Sequence, residues 1–189
     1  MDLRAVEQLL NRDIGLDASS VGTLALRQAV QERMRACGVP DFDDYLPRLH
    51  ESAAERQQLI ECVVVPETWF FRDAEAFAAL GRLAQTEWLG RPALRLLSLP
   101  CSSGEEPYSM AMALLDAGVS PERLRIDAAD ISERALARAR AAVYGRNSFR
   151  GDNLAFRERH CEALAQGYRP SAAVRGAVRF ARGNLFAAE

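Results

Sequence analysis

Lysine is absent from the 189-residue sequence: all 24 basic side chains are arginine, set against 26 acidic ones for a formal charge of −2. A codon or genome bias accounts for that absence. The small net charge excludes a protein whose main task is to blanket nucleic acid phosphates, although a local basic patch is compatible with it. No window approaches the roughly 18 apolar residues that a membrane-spanning helix needs, so no membrane insertion is expected. The start MDLRAVEQLLNRD lacks a secretory signal pattern, and the expected compartment is the cytoplasm. Cysteine is sparse too. Cys37, Cys62, Cys101 and Cys161 are far apart and form no C-x-x-C pair; with two histidines they make neither a zinc ligand set nor a disulfide framework, and no metal is expected.

What is present is a globular composition, 49% apolar and 26% charged. At roughly 100 to 200 residues per domain, the chain holds one medium domain or two small ones and is short for a complete two-domain enzyme. From Met1 to about Val65 the apolar residues recur at helical spacing. Val6, Leu9 and Leu10 mark a first helix that stops near Gly15; Leu24, Leu26, Val30 and Met34 mark a second, closed by Gly38 and Pro40. Asp41 to Leu49 gives a third. Ser52 opens a fourth, with Glu55 at capping-box spacing and Leu59, Ile60 and Val63 as its buried stripe. A bundle of roughly 65 residues has only a marginal core of its own.

Beyond Pro66 the texture changes. PETWFFRD precedes a helix from about Ala74 to Trp88, and after Gly90, Arg91 and Pro92 the pattern becomes strand, loop, helix. Pro100 and the following CSSG decide that the Leu94 to Leu99 run is a strand ending in a loop. A nearly all-apolar helix follows Pro107 and ends at Gly118; Leu124 to Ala129 is a second strand, and Ser132 caps a helix to about Val143. This β-α-β-α order implies a parallel sheet with right-handed crossovers. Residues 145–176 resemble loops and short elements inserted into that domain, and Ala177 to Ala181 reads as a third strand, followed by Gly183, Asn184, Leu185 and Phe186.

In an open parallel sheet, ligands bind beyond the carboxyl ends of the strands. Three polar clusters fall there: Cys101 to Glu106, Asp130 and Asn184. Gly104 lets the backbone turn closely around a ligand, and the helix beginning near Glu106 offers free N–H groups. Asp130 follows Gly104 by 26 residues, where nucleotide-binding α/β domains place the acid that accepts ribose hydroxyls. A pyrophosphate would be repelled by the two acids of CSSGEE. A ligand with a ribose, an amino group and a positive centre suits them, which favours S-adenosylmethionine over NAD. Glu105 and Glu106 can equally be helix N-terminal acids that answer the macrodipole.

The ordered segments PETWFFRD, SLPCSSGEEPYSMAM, AADIS with its Ala- and Arg-rich helix and VYGR, and VRFARGNLF resemble the motifs of the chemotaxis receptor glutamate O-methyltransferases, the CheR family. A surface-sensing, Wsp-type member is one reading of that resemblance. The family implies transfer of a methyl group from S-adenosylmethionine to receptor glutamate side chains, giving a γ-glutamyl methyl ester and S-adenosylhomocysteine. It also implies an α/β fold: a small N-terminal helical bundle, then a doubly wound Rossmann-like methyltransferase domain with a small inserted subdomain. The boundaries expected here are 1–72 for the helical domain, 73–90 for a linker helix and 91–189 for an incomplete methyltransferase domain, with the insertion at about 145–176.

Carried over, the resemblance makes Thr68 and Arg72 cofactor contacts, Glu106 a ligand of the methionine or loop region, Asp130 the ribose acceptor, and Asn184 with Leu185 the adenine neighbours. Pro66 stands where some members carry Asn. Trp69, Phe70 and Phe71 are expected chiefly in the core or a domain interface. Methyl transfer to an ionised glutamate needs no catalytic base, and Arg72 is the candidate catalytic residue, holding the acceptor carboxylate; a surface ion pair with Asp73 or Glu75 is the alternative. Arg27, Arg33 and Arg35 are candidates for binding the acidic helix of a methyl-accepting chemotaxis-type receptor, although Glu32 makes that face less positive. The family fold continues beyond the GNLF segment, so the chain reads as truncated, with self-association through an unfinished sheet expected. A catalytically incomplete receptor- or partner-binding fragment is one alternative function. A nucleic-acid methyltransferase, drawing on the basic stretch Arg134 to Arg159, is a minor second one, and no nucleic-acid partner is expected.

Overall fold

The computed structural model describes residues 1–64, 66–88, 90–151 and 154–186. They form two compact units, Met1–Val65 with the segment from Asn184, and Pro66–Gly183.

The first unit is helical: α1 (Arg4–Ile14), α2 (Ala18–Val21), α3 (Thr23–Cys37), α4 (Phe42–Glu51) and α5 (Ala53–Val63). Gly15 ends α1 in the left-handed region at φ 65°, its N–H donating to the Asn11 carbonyl while the Leu16 N–H donates to the Leu10 carbonyl. Along α3 the buried stripe is Leu26, Ala29, Val30 and Met34. Leu24, expected in that stripe, is 69% exposed; two positions from Leu26, it lies on the far side of the helix. The hydroxyl of Ser52 accepts from the Glu55 N–H at 3.1 Å, the first half of a capping box. The reciprocal half is replaced. Glu55 turns inward, where Oε1 accepts from Arg33 Nε and the Tyr45 hydroxyl, both at 2.9 Å, and Oε2 accepts from Arg33 Nη2 at 2.9 Å and Cys37 Sγ at 3.1 Å. One carboxylate thereby ties α3, α4 and α5 together.

The second unit runs α6 (Ala74–Thr86), β1 (Leu94–Ser98), α7 (Glu105–Asp116), β2 (Leu124–Asp130), α8 (Glu133–Ala141), α9 (Ala155–His160), β3 (Cys161–Leu164), β4 (Gly167–Pro170), α10 (Ala172–Gly176) and β5 (Val178–Arg182). Residues 66–72, grouped with the helical domain on sequence grounds, belong to this unit. Asp73 and Ser132 cap α6 and α8, accepting from Ala76 N at 3.3 Å and Ala135 N at 3.0 Å. The sheet has the order β1-β2-β5, all parallel, with Leu94 opposite Leu124 and Ile126 opposite Val178. Central β2 alternates strictly: Leu124, Ile126, Ala128 and Asp130 are buried, while Arg125, Asp127 and Ala129 are half-buried. Tyr108, Ala111, Met112 and Leu114 of α7 and Leu136 of α8 share one hydrophobic core with the buried β2 side chains. Each fully buried aliphatic side chain contributes roughly 1.5–3 kcal/mol there. The inserted segment resolves into a short helix, α9, the antiparallel β3-β4 hairpin and α10.

Candidate functional site

The loop after β1 crosses toward the end of β2. Cys101 N donates to Ala129 O at 2.8 Å, and Ser102 N donates to the Asp130 carboxylate at 2.7 Å. The other Asp130 oxygen accepts from Ser132 N at 2.8 Å. Asp130 is 4% exposed and sits at the last position of β2, so its carboxylate fastens the loop after β1 to the turn that opens α8. Such charge-assisted bonds to backbone N–H groups are about twice as strong as neutral ones. They hold Ser102 at φ 48°, a left-handed conformation uncommon for a side-chain-bearing residue and frequent at functional loops. The Ser102 hydroxyl is buried and has no hydrogen-bond partner among the described residues.

Glu106 is exposed at the first turn of α7, and its Oε1 accepts from the buried Ser98 hydroxyl at 2.7 Å, which holds the carboxylate over the end of β1. Glu105, paired with it in the sequence, behaves differently: it is 1% exposed and accepts from Ser103 and Ser148 hydroxyls, each at 2.7 Å. In the sequence both acids fit the start of a helix, and only the family resemblance singles out Glu106. The signal that separates them is periodicity, since Glu105 shares a helical face with buried Tyr108, Ser109 and Met112 and Glu106 does not. Gly104 adopts φ 96°, and an added Cβ would lie 2.8 Å from the Ala139 Cβ and 2.9 Å from the Tyr144 hydroxyl. The close approach that requires glycine is therefore made by α8 and Tyr144, where a ligand was expected. Cys101 is 1% exposed; burial first, then the Asp130 charge, pushes its thiol up to about 12, so it is no nucleophile at neutral pH.

The Thr68 to Arg72 segment lies along α7. Phe70 N donates to Ser148 O at 2.9 Å and Phe71 N to the Ser109 hydroxyl at 3.0 Å. Phe70 is core, stacked on Phe149 at 5.0 Å and edge-on to Tyr144 at 4.9 Å. Thr68 is half-buried and Arg72 exposed. The Arg72 guanidinium donates to Glu67 O at 2.7 Å and lies 4.8 Å over the Trp69 ring, whose other neighbour is Arg150 at 4.5 Å. It makes no ion pair with Asp73 or Glu75. Arg72 also borders a groove of about 910 Å³ whose walls include Trp69, Phe71, Phe77 and Phe156.

The remaining expected site residues lie in the helical unit. The Asn184 amide donates to Asp13 O at 2.7 Å and its carbonyl accepts from Phe186 N at 3.0 Å, while Leu185 is 67% exposed. Arg27 and Arg35 are exposed on α3. Arg33, expected beside them as a receptor contact, is instead turned inward, its side chain 14% exposed and bidentate to Glu55. A guanidinium already committed to a buried carboxylate is not available to a partner. In the basic stretch from Arg134 to Arg159, Arg140 pairs with Glu133, Arg150 with Glu67 and Arg159 with Asp116 at the surface, and Arg157 lies 4.4 Å over Tyr168. Among the described residues no helix is long and apolar enough to cross a membrane.

The chain is similar to known proteins over most of its length. The chain is 55% identical over 182 residues to the probable biofilm formation methyltransferase WspC of Pseudomonas aeruginosa, covering 95% of this chain and 43% of that protein. The WspC of Pseudomonas putida is 51% identical over 181 residues, covering 94% and 43%. The chemotaxis protein methyltransferase of Salmonella typhimurium is 33% identical over 144 residues, covering 75% and 49%. The chain thus spans less than half the length of these relatives. Two family models divide it almost where the two compact units meet, the CheR methyltransferase all-alpha domain at residues 1–64 and the CheR methyltransferase SAM binding domain at residues 66–189. With both domain models matched in order across the whole sequence, the chain belongs to the CheR methyltransferase family.

Proposed function

We propose that this chain supplies the cofactor site of an S-adenosylmethionine-dependent methyltransferase that esterifies glutamate side chains on the cytoplasmic helices of a chemoreceptor-like signalling protein. The observation that carries the reading is the strand-end constellation of Asp130, Glu106 and the partnerless buried Ser102 hydroxyl. A buried hydroxyl without a partner is costly, and a ligand at the loop would satisfy it. The site offers the Asp130 and Glu106 carboxylates and the Ser102 hydroxyl. That set fits ribose hydroxyls, an ammonium and a sulfonium, and opposes a pyrophosphate.

In this reading Asp130 accepts from the ribose with the lone pairs left free by Ser102 N and Ser132 N. Glu106 attracts the methionine ammonium, and Thr68 lines the methionine side. Asn184 and Leu185, directly after β5 and Gly183 in the sequence, are the proposed adenine neighbours. When bound, S-adenosylmethionine supplies a methyl group activated by its sulfonium. The chain's own task is then to orient an acceptor carboxylate that is already ionised at neutral pH. Arg72 is suited to it: one carbonyl and one ring face hold its guanidinium now, and a bidentate carboxylate is a stronger partner than either. Arg27 and Arg35 remain as the α3 residues that meet an acidic receptor helix. The methylated receptor segments being cytoplasmic, so is the enzyme.

The test is transfer of labelled methyl to receptor cytoplasmic fragments, with RNA as the competing acceptor. The label is expected on protein as base-labile ester. In the polypeptide that carries the activity, Arg72→Ala is expected to lower transfer by about 100-fold or more, the loss of one bidentate charge-assisted contact in the transition state. Methylated RNA, or unchanged turnover of the Arg72 variant, contradicts the reading.

Among the described residues β1 is an edge strand and its Leu97 is 62% exposed, which supports association of this chain through that edge. Sedimentation is expected to show the mass rising from monomer toward dimer with concentration. A monomer at every concentration removes that part of the proposal.

A further inference from the structure

We infer that Glu105 is a positioning residue: its buried carboxylate clips the segment carrying Thr68 and Arg72 to the loop at the end of β1, fixing two walls of the proposed cofactor site relative to each other. The purpose of the clip rests on the cofactor reading above; its geometry does not.

The two carboxylate oxygens of Glu105 face opposite ways. Oε2 takes the Ser103 hydroxyl, in the same loop as the Asp130-bound Ser102, and Oε1 takes the Ser148 hydroxyl, each at 2.7 Å. Ser148 in turn presents its carbonyl to Phe70 N at 2.9 Å. The next amide, Phe71 N, donates to the Ser109 hydroxyl at 3.0 Å, and that hydroxyl donates to the main-chain carbonyl of Glu105 at 2.7 Å. Both consecutive amides of the segment therefore lead back to Glu105, one through its side chain and one through its backbone. Tyr144 closes the loop side, donating to Ser103 O at 2.7 Å.

The burial of this group is the unusual part. Glu105 is 1% exposed, and no arginine pairs with it among the described residues; serine hydroxyls alone hold it. A buried carboxylate without a cation is costly compared with a neutral side chain of the same shape. The α7 macrodipole does not require it, because Glu106 already places an acid in the same turn at the surface. What Glu105 provides that a neutral residue would not is two acceptor oxygens aimed at two elements at once.

The test uses Trp69, which adjoins Phe70 and lies between Arg72 and Arg150. The chain has two tryptophans, so in a Trp88→Phe background Trp69 alone reports the seating of the segment. Glu105→Gln, Ser148→Ala and the double variant are compared with that parent by Trp69 emission, thermal midpoint and calorimetry with S-adenosylhomocysteine. Glutamine is isosteric, and one serine can turn to accept from the new amide, so the midpoint should stay near the parent's. Affinity should fall about tenfold and Trp69 emission should change. Ser148→Ala should do the same, and the double variant should lose little more than the worse single, because both break one connection. Parental emission and affinity in the folded single variants, or additive losses in the double, overturn the clip. A parent that binds no S-adenosylhomocysteine overturns the cofactor reading and the clip's purpose with it, while the Trp69 signal still decides the clip itself.

Discussion

Asp130→Ala is expected to weaken S-adenosylhomocysteine binding by about 100-fold or more and to cost about 2–4 kcal/mol of stability. Both effects follow from one carboxylate. Each oxygen accepts a backbone N–H, from Ser102 at 2.7 Å and from Ser132 at 2.8 Å, and removing them leaves two amides unsatisfied at a largely buried position. Ser102 then loses the contact that holds it at φ 48°, so the loop and the ribose acceptor go together. Asp130→Asn separates the two. Its single carbonyl serves one amide while its NH₂ opposes the other, which predicts a smaller loss of roughly 1–2 kcal/mol. Urea denaturation and calorimetry measure the two quantities independently. An alanine variant whose affinity stays within fivefold of the parent's removes Asp130 from the site.

Glu55→Ala is expected to destabilise the helical unit by about 3–5 kcal/mol, enough to unfold much of a bundle this small. Arg33 would be left half-buried without its counter-ion, and the Tyr45 hydroxyl and Cys37 thiol without an acceptor. Changing both ions, Arg33→Met with Glu55→Leu, should recover most of the loss, because the penalty lies in the orphaned charge. The cluster also sets an acid dependence. Burial alone would raise the Glu55 carboxyl; the hydrogen bonds from Arg33, Cys37 and Tyr45 and the Arg33 charge outweigh it and hold the group below its ordinary range. A group lowered on folding stabilises fully above its unfolded pKa of about 4.3, and that contribution fades as the pH falls through the lower folded value. Circular-dichroism melts at pH 7 and at a pH well below about 4.3 should therefore show the parent's margin over the double variant shrinking as acidity rises. A parent whose margin over the double variant is the same at both pH values contradicts the role given to the carboxylate.

The strands were legible where local chemistry was decisive. Pro100 and CSSG mark the end of β1, and the alternation from Leu124 to Asp130 places an acid at the end of β2 in the same frame as the buried apolar side chains. Ser132 announces α8 by its capping oxygen. Long-range pairing was not legible. Nothing near Arg33 in sequence says that Glu55, a turn into α5, will claim it, so α3 reads as a basic face. Leu24 misleads in the opposite sense, because apolar residues two apart cannot share a helical stripe and the closer match to the period is Leu26. Glu105 and Glu106 look like one feature, two acids at a helix start, until the inward face of α7 is counted from Tyr108 and Met112. Gly104 reads in sequence as a residue that lets a ligand approach, whereas the neighbours that exclude a side chain there are α8 and Tyr144. The 145–176 insertion lacks a strong period in sequence, and its hairpin is short, with four residues in each strand.

The most direct test of the strand-end site is titration calorimetry of the chain with S-adenosylhomocysteine and, separately, with NAD. One-to-one binding of S-adenosylhomocysteine that disappears in Asp130→Ala, with no heat from NAD, is the predicted result. Binding of NAD, or S-adenosylhomocysteine binding that Asp130→Ala leaves intact, would contradict it.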